Sequence, residues 1–148
     1  MIVRCAALAA LLAASGTAWA QAPVQPGQWE IVTTVESVDM PGVPPSVTAM
    51  MKRKPVAIKH CLTPEEAGRG PQDMMKNDKS CRFTRYSMMG GKLASEMVCK
   101  QNGATITATS TGSFTPTGFN VRARTVMTGA QSMTMTATTM GRRIGPCR

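Results

Sequence analysis

Asn102-Gly103 lies between two stretches of alternating apolar and polar residues, a combination that specifies a β-hairpin. A two-residue type I′ turn needs positive φ at both central positions, and Asn-Gly tolerates that well. This turn pairs Gln101 with Ala104, Cys99 with Ile106 and Met97 with Ala108. A second turn at Thr115-Pro116-Thr117-Gly118 pairs Phe114 with Phe119 and Ile106 with Met127. A third at Gly129-Ala130-Gln131 pairs Met127 with Met133 and Ala123 with Ala137. Chained together, the three turns gather Leu93, Met97, Ile106, Ala108, Phe114, Phe119, Val121, Ala123, Met127, Met133 and Met135 on one face. Thr105, Thr107, Thr109, Thr111, Arg122, Arg124, Thr134, Thr136 and Thr138 take the other. A one-residue slip in any turn would break this agreement. The expected fold class is mainly β: a curved antiparallel meander, open or partly closed as a barrel-like sheet, with one short helix and an N-terminal signal segment.

The signal segment spans residues 1–20. Arg4 supplies its positive start, Ala6 to Ala14 its apolar stretch, and Ala18-Trp19-Ala20 a cleavage site before Gln21. The apolar run is too short for a stable membrane-spanning helix. Residues 21–148 then form a single disulfide-stapled domain, periplasmic or secreted and not membrane-spanning after cleavage. Cys5 leaves with the signal. Four cysteines remain, Cys61, Cys81, Cys99 and Cys147, and an even number in a small exported domain implies two disulfides. If the hairpin before Asn102 turns about Gly90, Cys81 falls opposite Cys99 and Cys61 is left for Cys147. A two-residue Gly90-Gly91 turn shifts that register by one and undoes the argument. Zinc has little support, since the cysteine spacings are wide and His60 is the one histidine.

Upstream, Gly27 to Glu36 reads as a strand with Trp29, Ile31, Thr33 and Val35 on one face. Met40-Pro41-Gly42-Val43-Pro44-Pro45 interrupts regular structure, and Val56 to Leu62 forms a second strand. Thr63-Pro64-Glu65-Glu66 starts a helix through a capping box, which Gly68, Gly70 and Pro71 keep short. A further turn from Asp73 to Lys76 is compatible with the sequence.

Several of these segments together resemble an exported bacterial family called domain of unknown function 3617. They are Gly-x-Trp-Glu opening the first strand, Met-Pro-Gly followed by prolines, Cys-Leu-Thr-Pro-Glu-Glu-Ala, the paired-cysteine hairpin and the closing Arg-Ile-Gly-Pro-Cys. The resemblance covers about Gly27 to Cys147. It implies compartment and domain extent, with no activity, ligand or catalytic residue attached, and the family is methionine-rich.

The formal net charge is +9, yet only six aromatic residues accompany it, two Trp, one Tyr and three Phe, which argues against nucleic acid as a partner. No nucleophile–base pair is evident, so a non-enzymatic envelope protein is expected. Its ligand is expected to be small and apolar or anionic, a lipid included. Ser110 and Gly112 would leave room on the concave face, and Arg85, pointing inward near Ser95 and Ser110, would meet an anionic group. The alternative is a methionine-rich periplasmic Cu(I) protein, with thioether ligands from Met127, Met133 and Met135. Otherwise no cofactor is expected. A protein partner at an exposed sheet edge is the remaining class.

Overall fold

The computed structural model describes residues 24–52, 54–74 and 78–148. The signal segment expected over residues 1–20 lies outside the described residues, as do Cys5, Arg53 and the last part of the Asp73–Lys76 turn. Seven strands form one sheet: β1 (Gly27–Asp39), β2 (Val56–Leu62), β3 (Cys81–Met89), β4 (Lys92–Gln101), β5 (Ala104–Thr115), β6 (Gly118–Thr128) and β7 (Met133–Gly145). Two helices, α1 (Pro45–Met51) and α2 (Pro64–Met74), flank β2 in the chain. The sheet order is β2-β1-β7-β6-β5-β4-β3, and every pairing is antiparallel. β2 and β3 are free edges, so the sheet is open.

The three turns of the β4–β7 meander hold the expected register. Cys99 pairs with Ile106, Phe114 with Phe119, Met127 with Met133 and Ala123 with Ala137. Asn102 and Gly103 both have positive φ, 50° and 76°, as the type I′ turn requires. The β3–β4 turn differs from the Gly90-centred expectation. Met89 pairs with Lys92, so the connection is a two-residue Gly90-Gly91 turn with φ of 57° and 71°. That turn alone would move Cys81 away from Cys99. A bulge between Phe83 and Arg85 adds one residue to β3 and restores the opposition. Cys81 therefore does face Cys99, with Cα atoms 4.0 Å apart, and bonds to it.

The same bulge reverses the placement of Arg85. Beyond it Tyr86 pairs with Ser95, while Arg85 pairs with Glu96 and is exposed. The inner position expected for Arg85 belongs to Tyr86, whose hydroxyl donates to the Met88 sulfur at 3.3 Å.

The second disulfide joins Cys61 near the end of β2 to Cys147 just after β7. On the polar face, Arg142 bonds Glu30 and Arg122 bonds Glu36, tying β1 to β7 and reaching across it to β6. One helix was expected, and two are present among the described residues. α1 follows Pro44-Pro45, with Pro45 at a first-turn position where its missing N–H costs nothing.

Candidate functional site

The inner face is apolar but thinly covered. Trp29 and Ala67 are each 2% exposed, and Cys99 and Ala137 are the other buried apolar residues among those described. Most remaining inner side chains are half-buried. The two most buried residues, Trp29 and Ala67, lie where α2 meets one end of the sheet. The capping box sets this placement: the Thr63 N–H donates to Glu66 at 2.8 Å, and the Glu66 N–H donates to the Thr63 hydroxyl at 3.2 Å. The Glu66 carboxyl is held below its usual value, first by the Thr63 backbone N–H and then by the Thr63 side chain, with a smaller contribution from His60. Helical backbone breaks at Gly70, where φ is 68°.

Between α2 and the sheet lies a cavity of about 310 Å³. Its walls come from six of the seven strands, including both free edges: Trp29 and Ile31 of β1, Leu62 of β2, Met88 of β3, Leu93 of β4, Phe114 of β5, and Phe119 and Val121 of β6. Residues of β2 and β3 can border one space only if the sheet curls strongly. Ala67 and Gly70 close the cavity from α2. The titratable side chains of the wall are His60 and Glu66, which approach each other to 3.8 Å and are 50% and 36% exposed. They mark the mouth.

Two glycines shape the end of the sheet. The Phe119 ring lies over Gly141, where a Cβ would collide with it, and there it stacks on Trp29 with centroids 5.9 Å apart. The Trp29 indole donates to the Gln25 carbonyl at 3.0 Å. At Gly112 a Cβ would meet the Asn120 carbonyl oxygen and the Val121 backbone, so Gly112 serves close approach of β5 to β6.

Of the residues expected to bind a ligand, Gly112 and Ser110 lie on the cavity's side of the sheet but outside its wall. Gly112 sits between Leu93 and Val121, both of which line the cavity. Ser110 is two residues further along β5, opposite Ser95 and Ala123. Arg85 is on the other face. The expectations missed His60 and Glu66 as the cavity's rim. The capping box was the available signal, because it fixes where the helix leaves β2.

Met127 and Met133 pair directly, and Met135 pairs with Thr125 on the same face. All three are half-buried. They lie toward the opposite end of the inner face, in register with Ile106 and Ala108. Among the described residues no group of three or more His, Cys, Asp or Glu side chains is placed to hold a metal. No helix among them is long and apolar enough to cross a membrane.

No curated protein and no solved structure matches this chain. A family model described as protein of unknown function DUF3617 matches residues 24–147, from the start of the described domain to the last cysteine, and the chain belongs to that family.

Proposed function

We propose that this is an exported, non-enzymatic envelope protein that holds a small, neutral apolar molecule between α2 and the curled sheet. The observation that carries this reading is the cavity of about 310 Å³ with aliphatic, aromatic and thioether walls. A concave apolar pocket with few polar groups is the usual form of a small-molecule site. A neutral ligand fits better than an anionic one. The lowered pKa of Glu66 keeps a negative charge at the mouth, and Arg85 is on the far side of the sheet. Among the described residues the titratable lining groups are His60, which is exposed, and Glu66, which is half-buried, and they lie 3.8 Å apart at the mouth, which favours binding over catalysis. Two disulfides favour an oxidising compartment, and with the signal-like residues 1–20 the periplasm is the compartment of choice.

Titration with the neutral dye N-phenyl-1-naphthylamine tests the reading. Saturable fluorescence enhancement that decanol reverses is expected. Leu93→Trp, which fills the cavity, weakens binding by roughly tenfold, the equivalent of about 1.4 kcal/mol. A parent protein that leaves the dye's emission unchanged, or a Leu93→Trp variant that binds as the parent does, overturns it.

A second reading is Cu(I) held by thioethers, and the direct pairing of Met127 with Met133 beside Met135 supports it. On this reading the triple leucine variant at these positions loses Cu(I) in competition with a chromogenic chelator. Equal retention by parent and variant removes the site.

A further inference from the structure

The exposed apolar side chains are not scattered. Eight large ones are 40% exposed or more among the described residues, and five of them fall between Val47 and Ile58. Val47, Met50 and Met51 of α1 are 47%, 62% and 46% exposed. Their spacing, i, i+3, i+4, puts them on one face of the helix. Val56 and Ile58 of β2 are 63% and 54% exposed, and their alternation puts both on the apolar side of the sheet. Ile58 pairs with Ile31, a wall residue of the cavity. α1 packs against β1 and leads directly into β2. The apolar stretch thus continues from the cavity side of the sheet out along its edge.

The charge around this stretch is one-sided. From residue 40 to residue 64 the sequence contains Lys52, Arg53, Lys54 and Lys59 and no Asp or Glu. Lys52, Lys54 and Lys59 are exposed. Lys59 lies opposite Glu30 on the polar face, so the cations beside the apolar stretch are Lys52 and Lys54. Apolar side chains next to this pair match the interface of an anionic bilayer, where methionine and valine enter the acyl boundary and lysine meets phosphate. A second copy of the chain is a poorer fit. Pairing β2 with its own counterpart brings two cationic segments together, and Pro55 borders the strand where pairing would begin.

We propose that α1 and the β2 edge form a docking surface for an anionic lipid bilayer. This goes beyond the cavity reading and stands independently of it, because the docking residues are not in the cavity wall. Flotation with vesicles tests it, using phosphatidylglycerol mixed with phosphatidylcholine against phosphatidylcholine alone. The mature, oxidised protein is expected to float with the anionic vesicles and to bind the neutral ones at least tenfold more weakly. Lys52→Ser with Lys54→Ser lowers anionic binding by roughly thirtyfold, from about one electrostatic increment per lysine. Met50→Ser with Met51→Ser lowers it more than tenfold. Met89→Ser, at a 75% exposed methionine on the opposite edge strand, leaves it unchanged. Equal binding to both vesicle types, full binding by either double variant, or an equal loss in Met89→Ser overturns the proposal. All of these residues are exposed, and circular dichroism confirms that each variant folds.

Discussion

Replacing Cys61 and Cys147 together by alanine is expected to cost more stability than the same change at Cys81 and Cys99. The first bridge closes a loop with a sequence separation of 86, the second one of 18. The loop-closure entropy returned to the unfolded chain corresponds to about 4.5 kcal/mol for the longer loop and roughly 3 kcal/mol for the shorter. Alanine is the better probe at Cys99, which is 6% exposed, since a serine hydroxyl there would add its own burial cost. Native connections sharpen the contrast. The 81–99 bridge joins neighbouring strands whose ladder persists without it. The 61–147 bridge fastens β2, an edge strand that pairs only with β1, to the chain just beyond β7. Leu62 follows at once and α2 begins two residues later, so loosening β2 also loosens a wall of the cavity. Urea unfolding of the two double variants provides the check, with loss of dye binding below the transition expected only for the Cys61/Cys147 pair. An equal or smaller loss of stability in that pair contradicts the loop argument.

The part of this fold legible in the sequence is the part governed by local turn chemistry. Asn102-Gly103 and the two later turns each constrain a register over a few residues, and together they place one apolar face from β4 to β7. What the alternation pattern hides is any change of register within a strand. The bulge at Thr84 shows there only as a break in phase: Phe83 and Tyr86, and likewise Arg82 and Arg85, are three residues apart, which strict alternation would split across the sheet. It preserved Cys81–Cys99 and displaced Arg85 in a single step. The pairing of β1 with β7 joins segments about a hundred residues apart and has no local signal. α1 was concealed by Pro44-Pro45, which suits a helix start as well as a loop. The cavity depends on sheet curl and on where α2 lands. The small residues Ser110 and Gly112 indicated the right neighbourhood, while the wall itself required the register of six strands.

Trp29 is where these elements converge, and Trp29→Ala is expected to cost about 3–5 kcal/mol. Its side chain is 2% exposed, the least exposed large one among the described residues. It stacks on Phe119, lines the cavity, and fixes the entry of the chain into β1 through its bond to Gln25. Against a typical total stability of roughly 5–15 kcal/mol, the loss brings the domain close to unfolding at growth temperature. Trp29→Phe separates packing from hydrogen bonding. It keeps an aromatic ring against Phe119 but leaves the Gln25 carbonyl without its partner, and a loss of about 1–2 kcal/mol is expected. Gly141→Val reaches the same cluster from below, since its Cβ occupies the place of the Phe119 ring and forces that ring off Trp29. If the stack organises this end of the sheet, Gly141→Val resembles Trp29→Ala in denaturant midpoint and in loss of near-ultraviolet circular dichroism from the indole. A Gly141→Val protein with the parent's near-ultraviolet spectrum would mean that Phe119 finds another place without disturbing Trp29. The cavity wall would then be built on the tryptophan alone.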